Sequence, residues 1–388
     1  MSSVLDFDFA QDADERALRQ SVREFCLEEL APNVRAWEEQ GRLPREVYRR
    51  LGEMGLLGML FPTEIGGSGM SYMHMAAAVE EVARICPGIA LSVAATNSLC
   101  AGQIFYYGTD EQKRRYIPEI AAGHKIAAWG LTEPNAGSDS FAQRTRARKV
   151  EGGWVLNGRK SLITHATICD VACVMAATDP DSGRNGISCF IVERGMAGFE
   201  SGKKEDKLGM CASDTGDLVF RDCFVPDANM VGELNRGGKD ALGVLDGGRI
   251  GIASLAVGLA QGALDCALAY ARQREQFGRP LAAFQAIQFK LADMATGIHA
   301  ARLMVRKSAE VKDATQRAGI YASMAKLFAS EMCVKASEEG IQIHGGYGYT
   351  KDFLAEKFWR DSKLLTIGEG TSEIQRMIIA KNLVQGTE

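Results

Sequence analysis

The sequence predicts three regions in the order helix, sheet, helix, on three observations. From about Ala10 to Gly123, apolar residues recur at three- and four-residue steps, the period of a helix with one buried face. From Ala127 to about Asp227 the pattern turns to short alternating or β-branched runs, closed by the turn signals Asn157-Gly158, Asp179-Pro180-Asp181 and Asn185-Gly186. From Lys239 onward, long stripes of Ala, Leu and Met return, as in a bundle. The expected architecture is an all-helical domain over 1–125, a small antiparallel β-domain over 126–235 and a four-helix bundle over 236–388. A chain of 388 residues is too long for one core of ordinary size and suits such a division.

In the first region Val22, Phe25, Cys26 and Leu30 mark one helix, and Leu51, Met54, Leu56 and Leu57 a second. Residues 62–69 hold one proline and three glycines, which a helix does not tolerate, so they form a loop. Two further helices follow over 72–85 and 88–105, then a short one ending at Gly123. The β-region carries candidate strands at 142–149, 153–157, 170–176, 187–192 and 218–225. The last region carries helices at 240–272, 284–311, 315–341 and 372–384.

Composition excludes several classes. A net charge of -4 offers no general attraction to nucleic acid or an anionic membrane. The ten cysteines are widely scattered and lack the paired spacing of a zinc site, which reads as buried thiols in a reducing compartment. The five histidines (74, 124, 165, 299, 344) have no metal-ligand spacing, so no metal centre is expected. The first fifteen residues carry Asp6, Asp8, Asp12, Asp14 and Glu15 and no basic residue, unlike a signal peptide or basic presequence. A bacterial cytoplasm is the expected location, with a processed mitochondrial matrix protein as the alternative. The apolar run 241–270 is broken by Asp246, Arg249, Gln261 and Asp265, which suits a buried helix rather than a membrane span. No Gly-x-Gly-x-x-Gly opens a βαβ unit, and neither a phosphate-binding loop nor a Gly-x-Ser-x-Gly elbow is present.

The stretch Ile367–Arg376 stands out. Glu369 lies between two glycines, Ser372 and Gln375 have the spacing of a capping box, and Ile374, Met377 and Ile378 recur at helical steps. A carboxylate on a tight loop at the mouth of a helix is one reading; a helix-ending glycine beside a solvated turn glutamate is another. Leu131-Thr132-Glu133-Pro134-Asn135-Ala136-Gly137-Ser138-Asp139 exposes N–H groups and hydroxyls suited to a phosphate, a pyrimidine edge or an amide, and is equally a linker with Asx and Ser turns. Gln342-Ile343-His344-Gly345-Gly346-Tyr347-Gly348-Tyr349 ends a helix at paired glycines that let another group approach the backbone.

Three segments together resemble the acyl-CoA dehydrogenase family: the loop at 131–139, Arg274-x-x-Phe277-Gly278 followed by Phe284-Gln285, and Glu369-Gly370-Thr371-Ser372-Glu373-Ile374-Gln375-Arg376. The run from Asp246 to Ala253 and the pair Gly345-Gly346 add to the likeness, which spans nearly the whole chain. The resemblance implies an acyl-CoA dehydrogenase-like fold and non-covalent FAD, bound between the β-domain and the bundle and completed by a neighbouring subunit of a homotetramer, a dimer of dimers. It implies that Trp129, Leu131, Thr132, Leu162 and Thr164 face the flavin, with Thr132 at its pyrimidine end. Arg274, Gln276 and Phe277, with Gln342, Gly345 and Gly346, would reach the pyrophosphate and adenosine of a neighbour's FAD; a surface salt bridge is the other reading of Arg274. Thr371 and Glu373 would close over the cofactor.

The same resemblance makes Glu369 the base that removes the α-proton of an acyl-CoA thioester while a hydride leaves Cβ for flavin N5. Such a base needs a pKa raised by a dry site, and the developing enolate needs donors, among them the Glu369 N–H. Ser138, Asp246, Arg249, Gly368 and Gly370 would contact the substrate, although Asp246 and Arg249 also read as an intrahelical pair. Some relatives carry the base just before the arginine of the first bundle helix; here that position is Gly248. The chain departs from the family at Leu162, where an aromatic residue is common, and at Gly368, where many members have tyrosine. Asn135, His165 and Cys211 are lesser departures.

Loss of the tyrosine ring predicts a wide pocket and a short branched, cyclic or aryl-bearing acyl group, unless Trp129 or flexible backbone fills the space. Straight short-chain and dicarboxylyl acyl-CoA dehydrogenases, acyl-CoA oxidases and, outside enzymes, a helical scaffold are the alternatives. An electron-transferring flavoprotein is the implied acceptor.

Overall fold

The computed structural model describes residues 13–386. Residues 10–12 of the predicted helical region, and Asp6, Asp8 and Asp12 of the acidic terminus, lie outside the described residues. Helices α1 (Ala13–Phe25), α2 (Val34–Gln40), α3 (Arg45–Glu53), α4 (Tyr72–Ile85), α5 (Pro87–Ala95), α6 (Ala101–Tyr107) and α7 (Asp110–Ala121) form the first block. The apolar period places Val22 and Phe25 of α1 in the core. Leu56 and Leu57, expected in a helix, are buried in the turn after α3 instead, because α3 ends at Glu53 and Gly55 has a positive φ. The predicted helix 88–105 is split by one wider turn at Thr96–Cys100. There the buried Asn97 reaches across to accept from Met59 N (2.7 Å) and donate to Leu56 O (2.7 Å). The 62–69 loop contains only a single turn of 3₁₀ helix.

The strands are β1 (Ala127–Gly130), β2 (Arg146–Val150), β3 (Gly153–Thr164), β4 (Val171–Ala177), β5 (Ile187–Glu193), β6 (Phe199–Lys204), β7 (Thr215–Pro226) and β8 (Met230–Val231). They join one sheet in the order β6-β7-β3-β2-β4-β5-β8, with β1 beside β4. Most pairings are antiparallel, as expected, but β1 and β2 each run parallel to β4, so the sheet is mixed. The parallel pair is set where the chain enters from the helices: Ile126 N donates to Asp170 Oδ2 (2.8 Å) and Asp170 N to Ile126 O (2.8 Å). β1 escaped the sequence reading because Ala-Ala-Trp-Gly has no alternation, and β6 because Phe-Glu-Ser-Gly-Lys-Lys is a polar strand. The predicted strand 142–149 starts only at Arg146. Arg144 N and Thr145 N donate to the Glu133 carboxylate (2.6 and 3.0 Å) rather than to a neighbouring strand.

Helices α8 (Gly237–Gln273), α9 (Gln285–Thr315), α10 (Gly319–His344), α11 (Ala355–Leu365) and α12 (Ser372–Gln385) complete the chain, with a small hairpin of β9 (Glu275–Gln276) and β10 (Arg279–Pro280) after α8. α8, α9 and α10 pack as a bundle, and α4 lies against α8. The α9–α10 boundary falls at Gln316, whose φ of 60° ends the first helix. α11 was not foreseen. Its inward face carries Lys357 and Asp361, which pair with each other beside Glu38, and those charges break the apolar stripe. Pro87–Tyr107 and Gly237–Gln273 are long and apolar enough to cross a membrane, yet 83% and 78% of their most apolar windows are buried inside the fold. All ten cysteines are free thiols, and no group of His, Cys, Asp and Glu among the described residues is arranged to hold a metal ion.

Candidate active site

Glu369 lies on the turn between α11 and α12, with φ 52°, and Gly370 follows with φ 94°. Two left-handed residues in succession double the chain back sharply, a shape that glycine adopts freely and glutamate only when held. The holding bonds are visible. Gly370 O accepts from Lys326 Nζ of α10 (2.7 Å) and from Gln375 Nε2 of α12 (2.9 Å), and Ser372 N donates to Thr366 O (3.0 Å). The predicted capping box is displaced by one residue. Thr371 is the N-cap, its Oγ1 accepting from Ile374 N (3.3 Å), while Gln375 turns back to the Gly370 carbonyl.

The turn opens into a cavity of about 620 Å³ between α5, the β-domain, α8 and the α11–α12 turn. Trp129, Leu131, Thr132, Ser138, Leu162, Thr164, Arg249, Gly368, Glu369, Gly370 and Thr371 all line it. Sequence positions 240 residues apart thus meet on one wall. Four of the non-glycine residues with positive φ, namely Leu162, His165, Met210 and Glu369, are among the lining. Backbone strain concentrated at a cavity points to a site the surrounding fold is built to hold. Leu162 sits on a bulge of β3 and is 63% exposed.

The Glu369 carboxylate is buried, and its Oε2 has no hydrogen-bond partner. Burial pushes its pKa up to about 7, against the pull of Lys326 and Arg249. Arg249 points its charge the same way but gives Nη1 to Asp246 Oδ1 (2.7 Å), leaving its buried Nε unpaired. The intrahelical pair therefore forms, and Arg249 still faces the cavity while Asp246 stands behind it. Gly248 is packed directly on the base: a Cβ there would lie 2.0 Å from Glu369 Oε2. A side chain at 248 and this placement of Glu369 exclude each other. At Gly368 the opposite holds, since the three atoms nearest a Cβ built there all belong to Leu364, at 3.6–3.8 Å.

The remaining predicted residues lie elsewhere. Arg274, Gln276 and Phe277 follow α8 on the exposed hairpin, Phe277 being 93% exposed. Gln342, Gly345 and Gly346 are also exposed, and Tyr347 next to them carries the Arg274 guanidinium 5.9 Å from its ring centre. These two segments form one surface outside the cavity. Glu373 is exposed in the first turn of α12.

Sequence reasoning missed several members. Lys326 is fully buried on α10 beside the turn. One signal was available, because Lys326 falls in register with Ala322, Ala329, Ser330 and Cys333, a charge on an otherwise small and buried stripe. Lys160 is fully buried too, donating to Glu133 Oε1 (2.7 Å), Leu131 O (3.1 Å) and Gln143 Oε1 (3.0 Å), and so braces the 131–145 loop from beneath. Burial alone would raise the Glu133 carboxyl, but Lys160 together with the Arg144 and Thr145 donors offsets this and holds it below its usual range. His165 is locked between Ala127 O (Nδ1, 2.9 Å) and Ser92 Oγ (Nε2, 2.8 Å); a carbonyl only accepts, so Nδ1 carries the proton, and burial keeps the ring neutral.

An aromatic cofactor fits this wall. The indole N–H of Trp129 is buried without an acceptor, and Leu162, Thr132 and Thr371 complete a surface of mixed apolar and hydroxyl character. A buried N–H donor without a partner is rare in a finished structure and calls for an acceptor such as a flavin ring supplies.

The sequence matches the acyl-CoA dehydrogenase N-terminal domain over residues 12–124, the middle domain over 128–223 and the C-terminal domain over 235–384. A subunit of the caffeyl-CoA reductase–Etf complex of Acetobacterium woodii is 41% identical over 371 residues, 95% of this chain and 98% of that protein. The butyryl-CoA dehydrogenase structure from Megasphaera elsdenii superposes with a TM-score of 0.95 at 41% identity, covering 97% of this chain and 100% of that one. A glutaryl-CoA dehydrogenase of Mycobacterium smegmatis, solved in complex with FADH2, superposes with a TM-score of 0.93 at 33% identity, covering 98% and 97%. With all three domains matched in order around a cavity that holds a buried, unpaired carboxylate, the chain belongs to the acyl-CoA dehydrogenase family, FAD-dependent enzymes that oxidise acyl-CoA thioesters.

Proposed function

We propose that this enzyme removes the α-proton of a short acyl-CoA through Glu369 and yields the 2-enoyl-CoA, on an acyl group that is branched, cyclic or aryl-bearing near the thioester. The observation that carries it is the Glu369 carboxylate, buried at the cavity, unpaired at Oε2 and raised to about 7. A poorly acidic C–H needs a base of that strength held where water does not level it. The Glu369 N–H makes no hydrogen bond to another described residue and is free to serve the thioester oxygen. FAD, held by Trp129, Leu131, Thr132, Leu162, Thr164 and Thr371, supplies the two-electron acceptor for the hydride leaving Cβ. Arg274, Gln276, Phe277, Gln342, Gly345 and Gly346 form a surface suited to the adenosine end of a neighbour's FAD in a homotetramer, with Glu373 beside the cofactor. Ser138, Arg249, Gly368 and Gly370 are assigned to the acyl-CoA, with Asp246 behind Arg249 orienting it.

The acyl group follows from the walls. Leu91, Ala95, Leu99, Leu245 and Ile252 are apolar, and Gly368 lines the cavity with no side chain, which favours an acyl group with bulk there. Lys207 and Arg249 are the only Lys or Arg among the described lining residues. Arg249 is tied to Asp246 beside the base rather than at a distal end, which speaks against a dicarboxylyl substrate. Likeness to the A. woodii subunit supports an electron-transferring flavoprotein as acceptor, and likeness to butyryl-CoA dehydrogenase favours a straight short chain as the second reading. Anaerobic titration of the yellow protein with straight, branched, cyclic and aryl acyl-CoAs separates the two. Bleaching is expected to be fastest with the bulky set; a strong preference for butyryl- or hexanoyl-CoA overturns the wide-pocket reading.

A further inference from the structure

Two buried cations flank Glu369, and the roles of the two differ. Arg249 is committed to Asp246. Lys326 reaches from α10, 43 positions before the base, and spends its hydrogen bond on the carbonyl of Gly370 (2.7 Å), the residue that directly follows Glu369. Its side chain is fully buried. A lysine pays a large desolvation cost for such a place, and the interior of a helix packed on small residues offers no reason to keep one for packing alone.

We infer that Lys326 is a positioning residue for the base: its ammonium holds the Gly370 carbonyl, and through it the left-handed turn that aims the Glu369 carboxylate, while its charge lets that carboxylate ionise in a dry cavity. The inference rests on the reading of Glu369 as the base. Without the Lys326 bond, only Gln375 would hold the Gly370 carbonyl in a turn with φ of 52° and 94° at successive residues. Without the charge, Arg249 alone would oppose desolvation. The ionisable groups facing this pair from every packed element are few. Arg249 and Asp246 come from α8, Glu331 from α10 itself and Glu373 from α12; Glu331 is engaged by Arg376 (2.7 Å) and Glu373 is in solvent. Burial brings the Lys326 ammonium down to about 8, with Glu369 resisting, so the cation persists at neutral pH and is lost above it.

The test compares Lys326→Gln, which keeps a donor and loses the charge, with Lys326→Arg, which keeps the charge. Lys326→Met, apolar and of similar length, replaces the amide if that variant does not fold. The rate of flavin reduction by acyl-CoA is followed against pH, and thermal melts are taken over the same range. In the parent, reduction must first depend on Glu369, shown by loss in Glu369→Gln; if it does not, the proposed function fails and the lysine is not the cause. Given that dependence, Lys326→Gln is expected to move the acid limb upward by about one pH unit, with Lys326→Arg staying near the parent. The pH above which the melting gap between the glutamate and Glu369→Gln forms stops widening should move up by the same amount, while the pH at which the gap closes stays where the unfolded carboxylate titrates. An acid limb that stays in place in the uncharged variant, or a uniform loss of rate in both variants, assigns Lys326 to structure alone and overturns the inference.

Discussion

Substituting Gly248 with alanine separates stability from chemistry. The added Cβ would stand 2.0 Å from Glu369 Oε2 and 3.4 Å from Leu99 Cδ2, with no backbone atom among the nearest contacts. A carbon and an oxygen rest at about 3.3 Å, so the carboxylate must retreat by roughly 1.3 Å. Because the obstructed atom is the end of a flexible side chain, the fold absorbs the change. Alanine in a helix interior is also preferred over glycine by about 0.5–1 kcal/mol. A base misplaced by an ångström costs about 10²-fold in rate. Gly248→Ala should therefore melt at or slightly above the parent temperature, retain its flavin, and reduce it about a hundred times more slowly. Stopped-flow absorbance under anaerobic conditions and a thermal melt measure both. A rate within about threefold of the parent would show that this placement of Glu369 is not the working one, and the refutation would stand however stable the variant proved.

Three further outcomes follow from the same geometry. Folded, yellow Glu369→Gln should lose about 10²–10⁴-fold in substrate-driven reduction, and the parent's rate should climb as pH rises through about 7; equal reduction by the two proteins rules out the carboxylate as base. The raised pKa also has a stability cost with a definite sign. Between the ordinary carboxylate value of 4.5 and about 7, the folded state binds more protons than the unfolded, so stability falls as pH rises across that window. Glu369→Gln should accordingly out-melt the parent at pH 8 by up to about 3 kcal/mol, the gap closing toward pH 4.5, and a gap independent of pH would contradict the burial argument. Lys160→Met strands the buried Glu133 without its cation at a cost of roughly 3–5 kcal/mol. It should lower the melting temperature and weaken FAD retention by loosening the 131–145 loop; a melt unchanged within about 1 °C refutes the brace.

Much of this was legible in the chain. Helical and strand periods are local, so Val22 and Phe25, the 187–192 strand and the long Ala-rich helices announced themselves. The glycines around Glu369 marked a turn, and the motifs at 131–139, 274–278 and 369–376 named the family that the domain matches establish. Less legible were elements whose pattern is overwritten by tertiary need. β1 is four residues without alternation that become a strand only beside β4, and α11 turns a charged pair inward because Glu38 from α2 receives it. The N-cap is Thr371 rather than Ser372, with Gln375 turned to the Gly370 carbonyl instead of the cap.

Sequence by itself determined the architecture, the family and the acid that the structure places in the wall of the cavity, since each is written in short-range spacing or contiguous motif. Only the tertiary structure decided what surrounds that acid. Lys326 from α10, Arg249 and Gly248 from α8, and the Lys160–Glu133 brace meet across 27 to 121 positions of chain. Their influence depends on burial and on distances of two to four ångströms, quantities that packing creates and that residue order alone does not contain.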